Sequence, residues 1–155
     1  MNPTVATWMN QYAADHRHPM NRLTHKIAIP FIVFHIMTML DWLKTGQDIG
    51  GVAITGGIIG CAVATLFYAW ADLKMAPLMA LLFGLAILLG RQFGDNHMPV
   101  IVIAVVGWTV QLIGHSVYEK NRPSFLTNML QALVGPYFFV SVLTGRFKPN
   151  YQPAA

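Results

Sequence analysis

The chain has 155 residues, of which 55% are hydrophobic and only 10% charged, against roughly 25% charged in an ordinary soluble domain. So few charges exclude a soluble protein of this size, and a mean hydropathy of +0.49 agrees. The net charge of +4 is spread over loops. With no basic patch interleaved with aromatics it argues against nucleic acid and for anionic lipid as a partner. The length suits one membrane domain, 1–155.

In chain order, residues 4–17 read as a short amphipathic helix: Val5, Trp8, Met9, Tyr12 and Ala13 recur at helical spacing behind Thr4, a candidate N-cap. No charged, then apolar, then small-residue pattern of a signal peptide is visible, so this segment is expected to be retained. Pro19, preceded by His18, fits the first position of a second helix that runs to about Leu43 through Pro30, a kink that membrane helices tolerate. Further apolar runs cover 49–71, 75–90, 98–119 and 130–145, the last interrupted by Gly135-Pro136. The first of these matches the roughly 20 residues needed to span. Its glycines (50, 51, 56, 57 and 60) allow close helix packing, within the chain or in a homo-oligomer. Loops at 44–48, 72–74 and 91–97 are short, and 146–155 is a polar tail. Cys61 is the only cysteine, so neither an intrachain disulfide nor a Cys-based metal site is possible.

The expected fold class is therefore all-α: an integral membrane helical bundle of four to five transmembrane segments, 27–145, behind a His-rich mouth at 1–26. Four spans between residues 26 and 115 put both ends of that stretch on one side. Arg17, Arg22, Lys26, Lys74, Lys120 and Arg122 fall there, with Lys44 and Arg91 opposite, and Arg146 and Lys148 unassigned. The positive-inside rule makes that side cytoplasmic, on the inner membrane in a bacterium or the endoplasmic reticulum in a eukaryote.

Two polar mouths interrupt this apolar pattern. In "GHSVYEKNRP" (114–123), Gln111, His115 and Glu119 lie four residues apart and share a helix face. In "DHRHPMNRLTHK" (15–26), Asn21 and His25 are also four apart. A turn at His18-Pro19 would fold the first helix back and bring His16 towards His25. His115 adds a third imidazole and Glu119 a fourth ligand or a supporting carboxylate. Imidazole with carboxylate suits Fe(II), Zn or Mn; the opposite reading is that these side chains are solvated at helix ends. Arg22 and Arg122, with Asn21 and Asn121, would bind a fatty-acid carboxylate, or else only lipid phosphate. His35 lies at mid-span, either a functional group or an imidazole bonded within the bundle. His18 reads as a cap, His97 as a loop residue, and Asp41 and Asp72 as solvated.

"HRHPMNRLTHKIAIP" (16–30) and "GHSVYEKNRP" (114–123) resemble the two signature stretches of a family of small multi-span membrane proteins that includes a fungal 2-hydroxy-palmitate dioxygenase of the endoplasmic reticulum. Order, spacing and hydropathy match along most of the chain. Ala28 stands where the family usually has Gly, and Met129 where Pro is common after Asn128. The resemblance implies an Fe(II)-dependent dioxygenase that takes 2-hydroxy fatty acids and O₂. It would shorten the acid by one carbon in the α-oxidation that degrades sphingoid bases. His16, His25 and His115 would be the metal ligands, Fe(II) first and Zn as the alternative. Glu119, Asn121 and Arg122 would stand beside the last of them; Glu119, Arg22 and Arg122 are the candidate catalytic residues, with Asn21, Asn121 and Gln111 in support of substrate binding. Two readings from other classes remain open: a haem or electron-transfer protein using His35, and a structural lipid-binding protein.

Overall fold

Asn2 opens the first helix. Its side-chain oxygen accepts from the Thr4 N–H at 2.9 Å and Pro3 takes the first helical position, so Asn2, not Thr4, is the cap. The computed structural model describes residues 1–126 and 128–151. Its elements are α1 (Pro3–Ala14), α2 (Pro19–Asp41), β1 (Lys44–Ile49), β2 (Val52–Thr55), α3 (Gly56–Ala71), α4 (Ala76–Arg91) and α5 (Met98–Ile113). A π-helical turn (Gly114–Glu119), a 3-10 turn (Ser124–Leu126) and α6 (Gln131–Leu143) complete the chain. Helices dominate, as composition and periodicity predict, and α2 and α6 continue through Pro30 and Pro136.

The antiparallel β1–β2 hairpin departs from that expectation. Gly50 and Gly51 have φ of 62° and 81° between the paired Ile49 and Val52, the two-residue turn that needs positive φ at both central positions. Thr55 then caps α3, its Oγ1 accepting from the Ile58 N–H at 3.2 Å. The apolar run at 49–71 is thus a strand followed by a helix of 16 residues. Two helical stretches, Pro19–Asp41 and Met98–Glu119, are long and apolar enough to cross a bilayer. With 16, 16 and 13 residues, α3, α4 and α6 are shorter than the roughly 20 of a full span. Of the four to five expected spans, two meet that length.

The chain divides into two units, one of Phe31–Val105 and one of Met1–Pro30 with the residues from Val106 onward. In the first of these, α3 packs on α4, with Tyr68 buried and its ring edge-on to Phe83 at 5.7 Å. The outward side chains Val63, Leu66, Leu81 and Leu88 are all more than half exposed, an apolar exterior suited to lipid. A Cβ on Gly57 would meet Asp41 Cβ at 2.8 Å, so this glycine does serve close packing. His35 donates from Nδ1 to the Phe31 carbonyl of its own helix at 2.9 Å, and the His97 ring lies 4.1 Å from that of Trp42.

Asp41 and Asp72 are buried rather than solvated. Asp72 Oδ1 accepts from the Lys74 N–H at 3.1 Å. Asp41 takes a two-pronged ion pair from Arg91, Nε to Oδ2 at 2.7 Å and Nη2 to Oδ1 at 2.9 Å, and also accepts from the Thr55 hydroxyl. These bonds join the end of α2, the start of α3 and the end of α4. Arg91→Met leaves a buried carboxylate short of its cation, which costs about 1–3 kcal/mol. The expected lowering of the unfolding midpoint is checked by thermal denaturation in detergent, where Arg91→Lys should recover part of the loss.

In the second unit α1 packs on α6, burying Val5, Met9, Tyr12 and Ala13 on one side and Val134, Tyr137, Phe138 and Ser141 on the other. At Gly135 the approach is ordinary: a Cβ there would meet the Tyr12 hydroxyl at 3.4 Å, a van der Waals contact.

Candidate metal centre

Three imidazoles from three parts of this second unit meet in its interior. His16 follows α1, His25 lies one turn and a half into α2, and His115 is the second residue of the π turn; all three are buried. Their ring centroids are 4.5, 4.7 and 4.9 Å apart, with planes inclined at 74–80°. His25 Nε2 lies 3.1 Å from His16 Nε2 and 3.0 Å from His115 Nε2. They form the one group of three or more potential metal-binding side chains among the described residues.

Local structure fixes which nitrogen carries the proton. His16 Nδ1 is 2.6 Å from the Tyr12 carbonyl oxygen and His25 Nδ1 is 2.7 Å from that of Asn21. A carbonyl can only accept, so both Nδ1 atoms are the donors and both Nε2 atoms keep their lone pairs. Burial also drives the His16 imidazole down to about 3, against the pull of the Tyr12 carbonyl, so it is neutral at pH 7. Two lone pairs therefore face each other across 3.1 Å with no proton between them. His115 has a buried Nδ1 without a partner, and protonating its Nε2 would relieve only one of the two contacts.

A divalent cation satisfies all three nitrogens at once. With metal–nitrogen bonds of about 2.0–2.1 Å, ligands at right angles are about 3 Å apart, the spacing of His25 Nε2 to each of the other two, and all three ligand atoms lie within 4.8 Å of one another. The donor set fits a metal, and three ligands leave coordination positions for reactants.

The π turn makes the third imidazole available. A turn of this kind is rare and clusters at functional sites. It is closed by bonds from the Lys120 and Asn121 N–H groups to the His115 carbonyl, with Lys120 at φ 53°. Gly114 lets it approach α2: a Cβ there would drive into the Thr24 hydroxyl and Asn21 Oδ1.

Glu119 ties the two mouths together. Its Oε1 accepts from the Arg17 N–H at 2.8 Å; its Oε2 accepts from the His18 N–H and from Asn21 Nδ2, each at 3.0 Å. The carboxylate thus holds the 17–18 turn and, through it, His16. It is occupied by these donors rather than by a histidine ring. His18 accepts from the Met20 N–H at 3.1 Å as a cap, as expected.

The other sequence candidates divide. Arg22 donates to the Arg17 carbonyl and its guanidinium lies 4.2 Å from the centre of the Tyr151 ring. Asn21 supplies both the carbonyl for His25 and the amide for Glu119. Gln111 is buried with its Oε1 unpartnered, one turn before His115. Asn121 Oδ1 accepts from the Arg122 N–H at 2.8 Å, and Arg122 itself is exposed, away from the cleft that Arg22 lines.

That cleft begins at Tyr12, His16 and His25, passes Arg22, Lys26 and Tyr151, and continues between apolar side chains of α2 and α6. Tyr12 stacks on His16 with centroids 3.9 Å apart, and burial pushes its hydroxyl well above the usual tyrosine range, so it stays protonated. Sequence reading missed Tyr12, Lys26, Gly114 and Tyr151. The first two were signalled by four-residue spacing to His16 and Arg22, and Gly114 by its place before His115; nothing local marks Tyr151.

A buried three-histidine centre on a helical, apolar scaffold defines the class. The chain matches, over residues 3–147, the family described as 2-hydroxy-palmitic acid dioxygenase Mpo1-like, and it belongs to that family. It is 32% identical over 146 residues to the 2-hydroxy-palmitic acid dioxygenase MPO1 of Saccharomyces cerevisiae, an alignment covering 92% of this chain and 79% of that protein. No solved structure matches the chain.

Two outcomes are expected. Glu119→Ala releases the 17–18 turn and should weaken metal binding about 10- to 100-fold with all three histidines in place, measured by metal titration with fold monitored by circular dichroism. Stripping the metal with a chelator should lower the thermal midpoint, and adding Fe(II) or Zn(II) back should restore it, because an ion that binds only the folded site stabilises it.

Proposed function

We propose that this chain is an Fe(II)-dependent dioxygenase that takes 2-hydroxy fatty acids and O₂ and returns acids one carbon shorter. Family membership and the yeast relative support an oxidoreductase acting on a lipid. The observation that carries the reading is the facing of three imidazole Nε2 atoms, two of them fixed as lone-pair donors by carbonyls.

The overall reaction balances without another reductant. R–CH(OH)–COOH and O₂ give R–COOH, CO₂ and H₂O: the bond between C1 and C2 breaks, C1 leaves as CO₂, and O₂ takes up four electrons from the substrate. A redox-active divalent ion held by His16, His25 and His115 supplies the electron transfer that no side chain here can provide. The protein's part is placement. Carbonyls of Tyr12 and Asn21 aim two imidazoles, Glu119 holds the turn that carries one of them, and burial keeps water from the centre. Arg22, beside His16 and His25 in the cleft, contributes to neutralising the substrate carboxylate.

Its two long apolar helices support a place in the membrane, and the distribution of lysine and arginine supports polar mouths that face the cytoplasm. Substrate would then enter from the lipid phase, as suits a long-chain acid.

Protein purified in detergent, loaded with Fe(II) without oxygen and then given 2-hydroxyhexadecanoate and O₂, should yield pentadecanoate and CO₂ in equal amounts. His115→Ala should bind less metal and lose at least ~10³-fold in rate, in line with loss of a metal that carries the chemistry. Full activity in that variant would falsify the ligand assignment.

A further inference from the structure

Four side chains on α2 line the cleft, Arg22, His25, Lys26 and Ile29, at spacings of three and four residues that place them on one helix face. Along that face the chemistry changes in order, from a guanidinium through an imidazole and an ammonium to an aliphatic side chain. The opposite wall belongs to α6, where Phe138, Phe139, Val142 and Leu143 contribute only apolar surface. Among the described residues, no carboxylate lines the cleft.

The two cations are not equivalent. Arg22 is already engaged, donating to the Arg17 carbonyl and packed against the Tyr151 ring. Lys26 is exposed, and its ammonium makes no hydrogen bond or ion pair among the described residues. It is one residue from His25 and lines the same cleft. An unengaged cation at the polar end of an apolar groove matches a ligand with one anionic head and one alkyl chain.

We infer that Lys26 is the primary receptor of the substrate carboxylate, and that the α2–α6 groove beyond it, walled by Ile29, Phe139 and Val142, holds the alkyl chain and sets the length accepted. This rests on the dioxygenase reading for the identity of the acid, but the seat itself is a binding site independent of turnover. Arg22 then closes the head from the other side, positioned by Tyr151. The carboxylate is held within reach of the imidazoles while the chain runs away from them, so C2 is the carbon presented to the metal centre.

The test is binding in the absence of oxygen, using the full-length protein in lipid nanodiscs. The probes are 2-hydroxyhexadecanoate and 1,2-hexadecanediol, which has the same chain and hydroxyl but no carboxylate. The unaltered protein should bind the acid at least tenfold more tightly than the diol. Lys26→Gln should remove most of that difference while leaving diol binding unchanged, and Lys26→Arg should restore it. Lys74→Gln, the same loss of charge elsewhere, should alter neither. Val142→Trp should shift the preference towards shorter acids. Equal binding of acid and diol by the unaltered protein, or undiminished acid binding by Lys26→Gln with an unchanged thermal midpoint, overturns the assignment. If the acid binds as expected but no shortened product forms under O₂, the dioxygenase reading fails and the acid seat stands.

Discussion

Everything in the candidate site depends on two backbone carbonyls. Because the oxygens of Tyr12 and Asn21 can only accept, the histidine four residues further on must present a bare Nε2 to the interior. Two such nitrogens about a van der Waals contact apart repel, and the fold that brings them together is comfortable only with a cation between them. Ordinary helical geometry therefore shapes a donor set that could hold a metal, with no carboxylate needed to orient either ring.

The rest of this unit serves to keep that encounter in place. Glu119 reaches across nearly a hundred residues of sequence to gather two backbone N–H groups and the Asn21 amide, so the chain on either side of the site closes on one carboxylate. Gly114 and the π turn bring the third imidazole close to α2, beside the other two. Of the two roles the sequence offers Glu119, fourth ligand or supporting carboxylate, its hydrogen bonds favour the second. The distinction has consequences, since a framework carboxylate tunes affinity whereas a ligand sets the electron count at the metal.

The other unit shows the same economy with a different pair. Asp41 and Arg91, each near a helix end, look like surface charges in sequence, yet they lock three elements around one buried carboxylate. In an apolar setting a lone charge is costly and a matched pair with a hydroxyl is tolerable, so the few charges of this chain are spent on joints. The small number of ionic groups, which marked the chain as unlike a soluble domain, is what makes each of them structurally informative.

The sequence by itself determined the helical class, most helix positions, and the two mouths from which the site is built. Apolar runs, Pro19 at a helix start and histidines at four-residue intervals are local signals, and local geometry obeys them. It also offered His16, His25 and His115 as a group, and the structure brings those three rings together. Tertiary structure alone decided three things. The Gly50-Gly51 turn drew seven residues of an apolar run into a hairpin, because positive φ at two successive glycines reverses the chain wherever a paired strand is available. The partner of Glu119 was fixed by contacts a hundred residues distant, which no spacing rule encodes. The cleft beside His16 and His25 arose where α1 packs on α6 and leaves a face of α2 open; a void between helices is a property of their packing, not of any one of them.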